Sequence, residues 1–188
     1  MADVEGQVIE EQIEDPEREA RRRLALSQIR QYPDAALRMA AKPVERFDES
    51  VEQLADRMKV LMHDANGVGL AATQVGVVRR LFVFHLGEDD DRVVVNPEIV
   101  ERSDETDVLD EGCLSLQGVT VPVERSVAVT LVGSDEHGEA LRLELEELPA
   151  RVVQHELDHL DGVLIVDRTT SEARREAMST LRPRIVLR

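Results

Sequence analysis

The residues with the clearest chemical potential are two histidines and a glutamate in the segment Gln154-His-Glu-Leu-Asp-His159. On a helix, residues four apart lie on one face about one turn from each other, so the rings of His155 and His159 can bind the same metal ion. Glu156 lies beside them and can take a proton from a water that a metal activates. The pattern indicates a metal-dependent hydrolase, although two histidines can also occur by chance on an exposed helix.

A catalytic metal of this kind usually keeps three protein ligands and one open position, so a third ligand is needed. The third histidine of the metzincin pattern would fall at position 165, which is Ile165. Thermolysin-like enzymes use a downstream glutamate, for which Glu172 and Glu176 are candidates in a charged segment. Cys113, the only cysteine, offers a thiolate for a Cys/His/His site. A lone cysteine can also be a small buried hydrophobic residue or a nucleophile paired with histidine, so the residues alone leave these alternatives open.

A glycine-rich segment, Gly67-Val-Gly-Leu-Ala-Ala-Thr-Gln-Val-Gly76, superficially matches a dinucleotide-binding fingerprint. That fingerprint follows a strand and opens a helix, whereas this segment follows a predicted helix and precedes a predicted strand. We therefore interpret Gly67 and Gly69 as positions where the backbone runs close to a substrate. Gln74 can offer an amide donor at the same place.

The two histidines can bind a metal in the interior only if a helix turns their side chains toward the core. Pro149 suits a first helical residue and Gly162 a C-terminal stop, so we predict a helix between them. Leu148, Val152 and Leu160 fall on or next to the face of the two histidines. We therefore expect the imidazole rings to point into the protein.

Other elements complete the predicted frame. Apolar residues at helical spacing, with a capping box formed by Ser50 and Gln53, predict a core helix over 50–65. Short β-rich runs, and alternation in the last of them, predict antiparallel strands at 81–85, 93–95, 126–132 and 141–145. A charged helix is expected over 171–181, and residues 185–187 form either a final strand or a frayed end. The predicted fold class is α+β, with antiparallel sheets packed around the metal-binding helix.

Length and charge bound the remaining choices. A chain of 188 residues is long enough for one substantial core, so we predict an acidic N-terminal arm at 1–27 and one catalytic domain at 28–188. The 39 acidic against 23 basic residues give a net charge of −16, which disfavours nucleic acid and membrane surfaces as partners. The acidic N-terminus argues against a signal peptide, and no stretch approaches a membrane span, so a cytoplasmic location is expected.

Three segments occur together in one order: Gly67-Val-Gly-Leu-Ala-Ala-Thr-Gln74, Glu111-Gly-Cys-Leu-Ser115 and Gln154-His-Glu-Leu-Asp-His-Leu-Asp-Gly162. They resemble the three signature motifs of peptide deformylases. The likeness extends upstream to Ile29-Arg-Gln-Tyr-Pro-Asp-Ala-Ala-Leu-Arg38 and covers roughly residues 28–168. The resemblance implies an enzyme that removes the N-formyl group from the first methionine of nascent polypeptides and releases formate.

By this resemblance, Cys113, His155 and His159 bind one divalent metal, typically Fe(II), which nickel, cobalt or zinc can replace. Glu156 moves the proton, while the Gln74 side chain and the Leu114 backbone N–H stabilise the developing oxyanion.

The resemblance also implies that the backbone at Gly69 binds the substrate main chain. Val68, Leu148 and Val152 are then candidates to line a pocket for the methionine side chain. Formylated nascent peptides are the implied partner, with transient docking at the ribosome as a further hypothesis.

Two other classes of function stay in view. A metalloendopeptidase would use the same helix with an acidic third ligand. A non-catalytic module would have a purely structural Cys/His/His site, but such sites usually recruit a fourth protein ligand. His63 at a helix end, His85 at a strand end and His137 in a turn do not obviously supply one.

Overall fold

The computed structural model describes residues 15–87 and 90–181, and within them the chain forms four α-helices and seven β-strands. The helices are α1 (Pro16–Gln28), α2 (Glu49–Asp64), α3 (Glu147–Leu160) and α4 (Ser171–Leu181). The strands are β1 (Gly69–Ala71), β2 (Leu81–His85), β3 (Asp91–Arg102), β4 (Thr106–Gly112), β5 (Thr120–Ser126), β6 (Ala128–Ser134) and β7 (Ala140–Glu146). The predicted strand or frayed end at 185–187 lies outside the described residues.

All paired strands are antiparallel and form two sheets. A five-stranded sheet has the order β1-β2-β3-β6-β7, and β4 and β5 form a separate two-stranded sheet. Helix α3 contacts both sheets through β1, β2, β5, β6 and β7. The predicted α+β class, with antiparallel sheets around the helix that carries the histidines, is confirmed.

Helix α2 begins one residue earlier than the 50–65 prediction, because its N-cap is Asp48. The Asp48 carboxylate accepts a hydrogen bond from Ser50 N at 3.0 Å, so an acid provides the cap in place of the hydroxyl. Gln53 Nε2 donates to Glu49 Oε1 at 2.8 Å instead of reaching back to the cap. The predicted capping box is therefore wrong, although the helix itself is confirmed.

Helix α3 begins at Glu147, so Pro149 is its third residue and not its first. Proline is tolerated there because the first amides of a helix have no intrahelical acceptor to lose. Gly162 follows the helix with a left-handed φ of 73°, as a C-terminal stop requires. Leu160 and Val152 are buried, but Leu148 is 59% exposed, so the predicted inward face holds only from the second turn onward.

Helix α1 was not predicted from the sequence. Asp15 caps it by accepting from Glu17 N at 3.0 Å, and Ala25 and Leu26 are buried in the core shared with α2. Most residues of its first turns are exposed. The boundary between the arm at 1–27 and the domain at 28–188 stays a prediction, and residues 1–14 lie outside the described part of the chain.

The strand predictions fall on real strands, and one of them has the correct bounds. The run at 81–85 coincides with β2, whereas the run at 93–95 lies in the first half of the much longer β3. The run at 126–132 spans the end of β5 and most of β6, because the chain leaves one sheet at residue 126 and enters the other at residue 128. The helix expected over 171–181 is confirmed as α4.

Among the described residues, no helix has both the length and the apolar character needed to cross a membrane.

Candidate metal centre

Three side chains from two parts of the fold converge at the candidate metal centre. Cys113 follows strand β4 directly, and His155 and His159 lie on successive turns of helix α3. Cys113 Sγ lies 3.2 Å from His159 Nε2, and the two imidazole centroids are 5.0 Å apart. One donor atom from each of the three residues lies within 4.8 Å of the others. The structure therefore brings together the three residues predicted as ligands.

Glu111 orients the ring of His155. Its Oε2 atom accepts a hydrogen bond from His155 Nδ1 at 2.9 Å. Because Nδ1 is engaged in this way, Nε2 is the ring nitrogen that can bind a metal. A carboxylate behind a ligating histidine also fixes the ring's orientation and raises its basicity.

Two buried arginines hold Glu111 in place. Arg125 donates to both Glu111 oxygens at 2.9 Å, and Arg151 Nη1 donates to Oε1 at 2.8 Å. Arg125 Nη1 also donates to Asp158 Oδ2 at 2.6 Å, which ties strand β5 to helix α3. Burial raises the pKa of Glu111, but its hydrogen bonds with His155 and Arg125 outweigh burial and lower that pKa to about 2. Glu111 is therefore an ionised acceptor at neutral pH.

The two imidazoles differ in proton affinity. Burial lowers the pKa of His155, but hydrogen bonds with Cys113 and Glu111 outweigh it and raise that pKa well above 6.5. Burial and the nearby charge of His155 lower the pKa of His159 well below 6.5. His159 is thus neutral near pH 7, the form in which imidazole binds metals.

Glu156 is buried beside the three donors. Burial raises the pKa of its carboxyl group to about 7. Its Oε2 atom has no hydrogen-bond partner among the described residues. A carboxyl group with a pKa near 7 and an oxygen without a hydrogen-bond partner suits proton transfer to and from a bound water. Together with one thiol and two imidazoles, which suit a divalent transition metal, this arrangement fits a metal-activated water.

The Gln74 amide is fixed in an orientation that serves a donor role. Its Oε1 atom accepts a hydrogen bond from Ala71 N at 2.8 Å. Its Nε2 atom lies 3.1 Å from Ser115 Oγ and 3.8 Å from Cys113 Sγ, so the NH2 group faces the candidate centre. Leu114 is anchored next to it, because its carbonyl oxygen accepts from Gln31 Nε2 at 3.0 Å.

The centre opens into a cavity of about 520 Å³. Its lining includes all four residues predicted to bind substrate, namely Val68, Gly69, Leu148 and Val152. Val152 is buried, whereas Val68 and Leu148 are about half exposed and lie toward solvent. Gly69 is the first residue of β1, an edge strand of the five-stranded sheet, so its backbone is placed to pair with an extended peptide.

Sequence reasoning missed several residues that support this centre. Glu111 is one of them, although a carboxylate two residues before the candidate ligand Cys113 is a usable signal. Arg125 and Arg151 gave no signal, because nothing local shows that a charged strand and a charged helix residue meet in the interior. Helix α1 adds Arg22 and Leu26 to the cavity wall, at a distance in sequence that no motif covers.

The competing ligands are placed elsewhere. Glu172 and Glu176 are exposed on α4, so an acidic third ligand of the protease type is not at the centre. His137 is exposed and lies 3.4 Å from Glu52. His63 and His85 form a different cluster with Asp91. Among the described residues, the Cys/His/His group thus has three protein donors, the number expected when one position stays open for chemistry.

An α+β fold with a thiol, two imidazoles and a buried carboxylate at the head of one cavity defines a metal-dependent hydrolase. Comparison with known proteins gives the same class and a family. The model of the polypeptide deformylase family matches residues 26–175. The chain belongs to this family.

Individual peptide deformylases are similar to this chain over most of their own length. A peptide deformylase of Thermotoga neapolitana is 48% identical over 140 residues, covering 74% of this chain and 85% of that protein. A peptide deformylase of Chromobacterium violaceum is 44% identical over 163 residues, covering 86% of this chain and 97% of that protein. The crystal structure of a peptide deformylase from Thermotoga maritima matches with a TM-score of 0.73 at 46% identity, covering 76% of this chain and 96% of that one. The crystal structure of Arabidopsis thaliana peptide deformylase 1B with an inhibitor matches with a TM-score of 0.77 at 41% identity. The match covers 82% of this chain and 89% of that one.

Proposed function

We propose that this member of the family removes the N-formyl group from the N-terminal formylmethionine of nascent polypeptides and releases formate. The observation that carries the proposal is the convergence of Cys113, His155 and His159 beside the buried carboxylate of Glu156. A Cys/His/His donor set with three protein ligands leaves a position for hydrolytic chemistry.

Cys113, His155 and His159 hold the metal in this proposal. Iron(II) is the proposed resident ion, and nickel, cobalt and zinc are able to replace it, because thiolate and imidazole donors accept all of these divalent metals. When bound, the metal supplies an acidified water and polarises the formyl carbonyl group. Glu111 keeps the His155 ring in the orientation that binding requires.

Glu156 is the proposed proton carrier. Its free Oε2 atom takes the proton of the attacking water and later delivers it to the leaving amine, so that formate and a free N-terminus result. Burial supports both steps, because a pKa of about 7 lets the carboxyl group accept and return a proton near neutral pH.

The oxyanion that develops on the formyl group needs donors aimed at it. Gln74 Nε2 supplies one, with its orientation set by the hydrogen bond from Ala71 N to Oε1. The Leu114 backbone N–H is proposed as the second, on a residue whose own carbonyl oxygen accepts a hydrogen bond from Gln31 Nε2. Removing a donor of this kind from an enzyme typically costs about 100- to 1000-fold in rate.

The substrate is proposed to lie along β1. Gly69 offers main-chain hydrogen bonds at the edge of the sheet, and the buried Val152 forms the floor of an apolar pocket for the methionine side chain. Val68 and Leu148 border this pocket on the solvent side. Because the substrates are nascent chains, we place the enzyme in the cytoplasm, with transient docking at the ribosome as part of the proposal.

A matched pair of peptides tests this function. The metal-loaded enzyme is incubated with a formyl-Met-Ala peptide and with its unformylated counterpart, and the products are identified by mass spectrometry. We expect loss of the formyl group alone from the first peptide, no change in the second, and no reaction after chelation. Cleavage of internal bonds in either peptide would favour the metalloendopeptidase, and no reaction in the metal-loaded enzyme would favour a structural site.

A further inference from the structure

A second group of side chains of metal-ligating types lies where β2 ends, because His85 follows Phe84, the register partner of Gly69. His63 is in the last turn of α2, His85 ends β2 and Asp91 begins β3. His63 Nε2 lies 2.7 Å from Asp91 Oδ2, and His85 Nδ1 lies 2.9 Å from Asp91 Oδ1. One donor atom from each of the three lies within 4.8 Å of the others. Two imidazoles from different elements therefore converge on one carboxylate.

This cluster is separate from the candidate metal centre. None of its three residues lines the cavity that contains Cys113. The side chain of His63 is 47% exposed, and those of His85 and Asp91 are 27% and 23% exposed. An ion bound there would keep water on its open side, so the cluster offers a binding position without an enclosed cleft for a substrate.

The backbone fixes two of the three donors before any ion binds. His85 and Asp91 are direct partners in the register of the β2–β3 pair, so their side chains share one side of the hairpin. The rings of His63 and His85 are packed edge to face, with centroids 5.2 Å apart. The Asp91 carboxylate faces both imidazoles, His63 through Oδ2 and His85 through Oδ1.

The local charge also favours a cation. Residues 88–91 are four consecutive acids, and the whole chain carries −16. Asp90 is offset by Arg92 at 2.7 Å, which leaves Asp91 to the two histidines. Two imidazoles and a carboxylate suit divalent ions such as zinc, nickel, cobalt and copper, and they do not suit magnesium or calcium, which prefer oxygen donors.

We propose that His63, His85 and Asp91 form a second binding site for a divalent transition metal, distinct from the Cys/His/His centre. The site joins the end of α2 to the β2–β3 hairpin. The chain between them, from Ala65 to Val68, leads into the substrate-binding strand β1, and His85 N donates to Val68 O at 3.0 Å. A bound ion thus fastens both ends of the segment that borders the active-site cavity.

Cobalt(II) tests the proposal because its spectrum reports the ligands. Enzyme carrying Co(II) at the Cys/His/His centre should show a thiolate-to-cobalt charge-transfer band, whereas a site without sulfur cannot contribute to that band. We expect equilibrium dialysis of the wild-type chain to give two bound equivalents, of which only one adds to the charge-transfer band. His85→Asn should bind one equivalent and retain the full band.

His137→Asn is the matched control, because it removes an exposed histidine outside the cluster and should keep both equivalents. His63→Asn provides a second variant that should also lose one equivalent if His85→Asn fails to fold. In the wild type, the second equivalent should slow amide hydrogen exchange at residues 65–68, and in His85→Asn it should not. Equal stoichiometry in the wild type and in the two cluster variants, whether one or two equivalents, would overturn the proposal.

Discussion

A Cβ atom added at Gly69 would overlap the Oε1 atom of Glu156 and would lie 2.9 Å from Val152 Cγ1. The backbone of strand β1 is thus pressed against helix α3 at the residue proposed to carry the proton. Only glycine allows this approach, because any side chain would meet the carboxylate. The glycine-rich segment and the histidine motif also meet at a hydrogen bond, in which Thr73 Oγ1 donates to the His159 carbonyl oxygen at 3.1 Å. These two residues are 86 positions apart in the sequence.

Replacing Gly69 with alanine should therefore damage catalysis while the metal stays bound. The added methyl group displaces Glu156 or lifts β1, and a displacement of about 1 Å at a catalytic group can cost on the order of a hundredfold in rate. Deformylation kinetics with measured metal content test this. Gly112→Ala is the control, because Gly112 lines the same cavity but its Cβ would meet only Val119 O, at 3.9 Å. Equal losses in the two variants would contradict the assigned contact.

Cys113→Ser should remove the metal and with it the activity. The metal's soft donor is lost, and even partners behind metal ligands typically contribute about ten- to a hundredfold in affinity. Metal analysis after dialysis, with Glu172→Gln as a control on α4, checks the result. An enzyme that uses an acidic third ligand would show the opposite pattern, with metal kept in the cysteine variant and lost in the glutamate variant.

Val152→Thr should weaken the preference for methionine. The two side chains have nearly the same shape, but a hydroxyl group would be placed in the floor of the apolar pocket. We expect about a tenfold loss in kcat/KM for formyl-Met substrates relative to smaller, more polar first residues. Val60→Thr, on the exposed face of α2, is the control. An unchanged preference across matched formyl-peptides would remove Val152 from the proposed pocket.

Glu111→Gln should destabilise the fold by about 3–5 kcal/mol, because it leaves the buried Arg125 and Arg151 without their shared anion. Chemical denaturation of metal-free protein, with the exposed Glu124→Gln as the control, measures the loss. The folded-state pKa of Glu111 is depressed from 4.5 to about 2, so its stabilising contribution is present above pH 4.5 and disappears as the pH falls toward about 2. The difference between wild type and variant should shrink over that window, and a constant difference would contradict the role of the ionised carboxylate.

The helix that carries the chemistry could be predicted because its signals are local. His155 and His159 are spaced for one helical face, and Gly162 marks the stop. The sequence evidence for Cys113 as a ligand is weaker, since spacing alone does not show that the end of β4 reaches α3. Its assignment depended on the family resemblance, and the structure now gives a distance of 3.2 Å from Cys113 Sγ to His159 Nε2.

Strand β4 could not be predicted, for a physical reason. Val108 and Leu109 are adjacent on β4 and both are more than half exposed, so the strand lacks the alternation that marks a buried face. Its one buried residue is Glu111, which pairs with the buried Arg125 of β5. Such a network exists only once β4, β5 and α3 are packed together, so no local pattern could show it.

The central claim is that Glu156 moves the proton in a metal-dependent deformylation. The most direct test is the rate of formate release from a formyl-Met-Ala peptide by nickel- or iron-loaded wild type and Glu156→Gln, compared at equal metal content. We predict that the variant keeps its metal, loses about 100- to 10,000-fold in rate, and that chelation abolishes the remaining wild-type activity. Unchanged formate release in the metal-loaded variant would contradict the account.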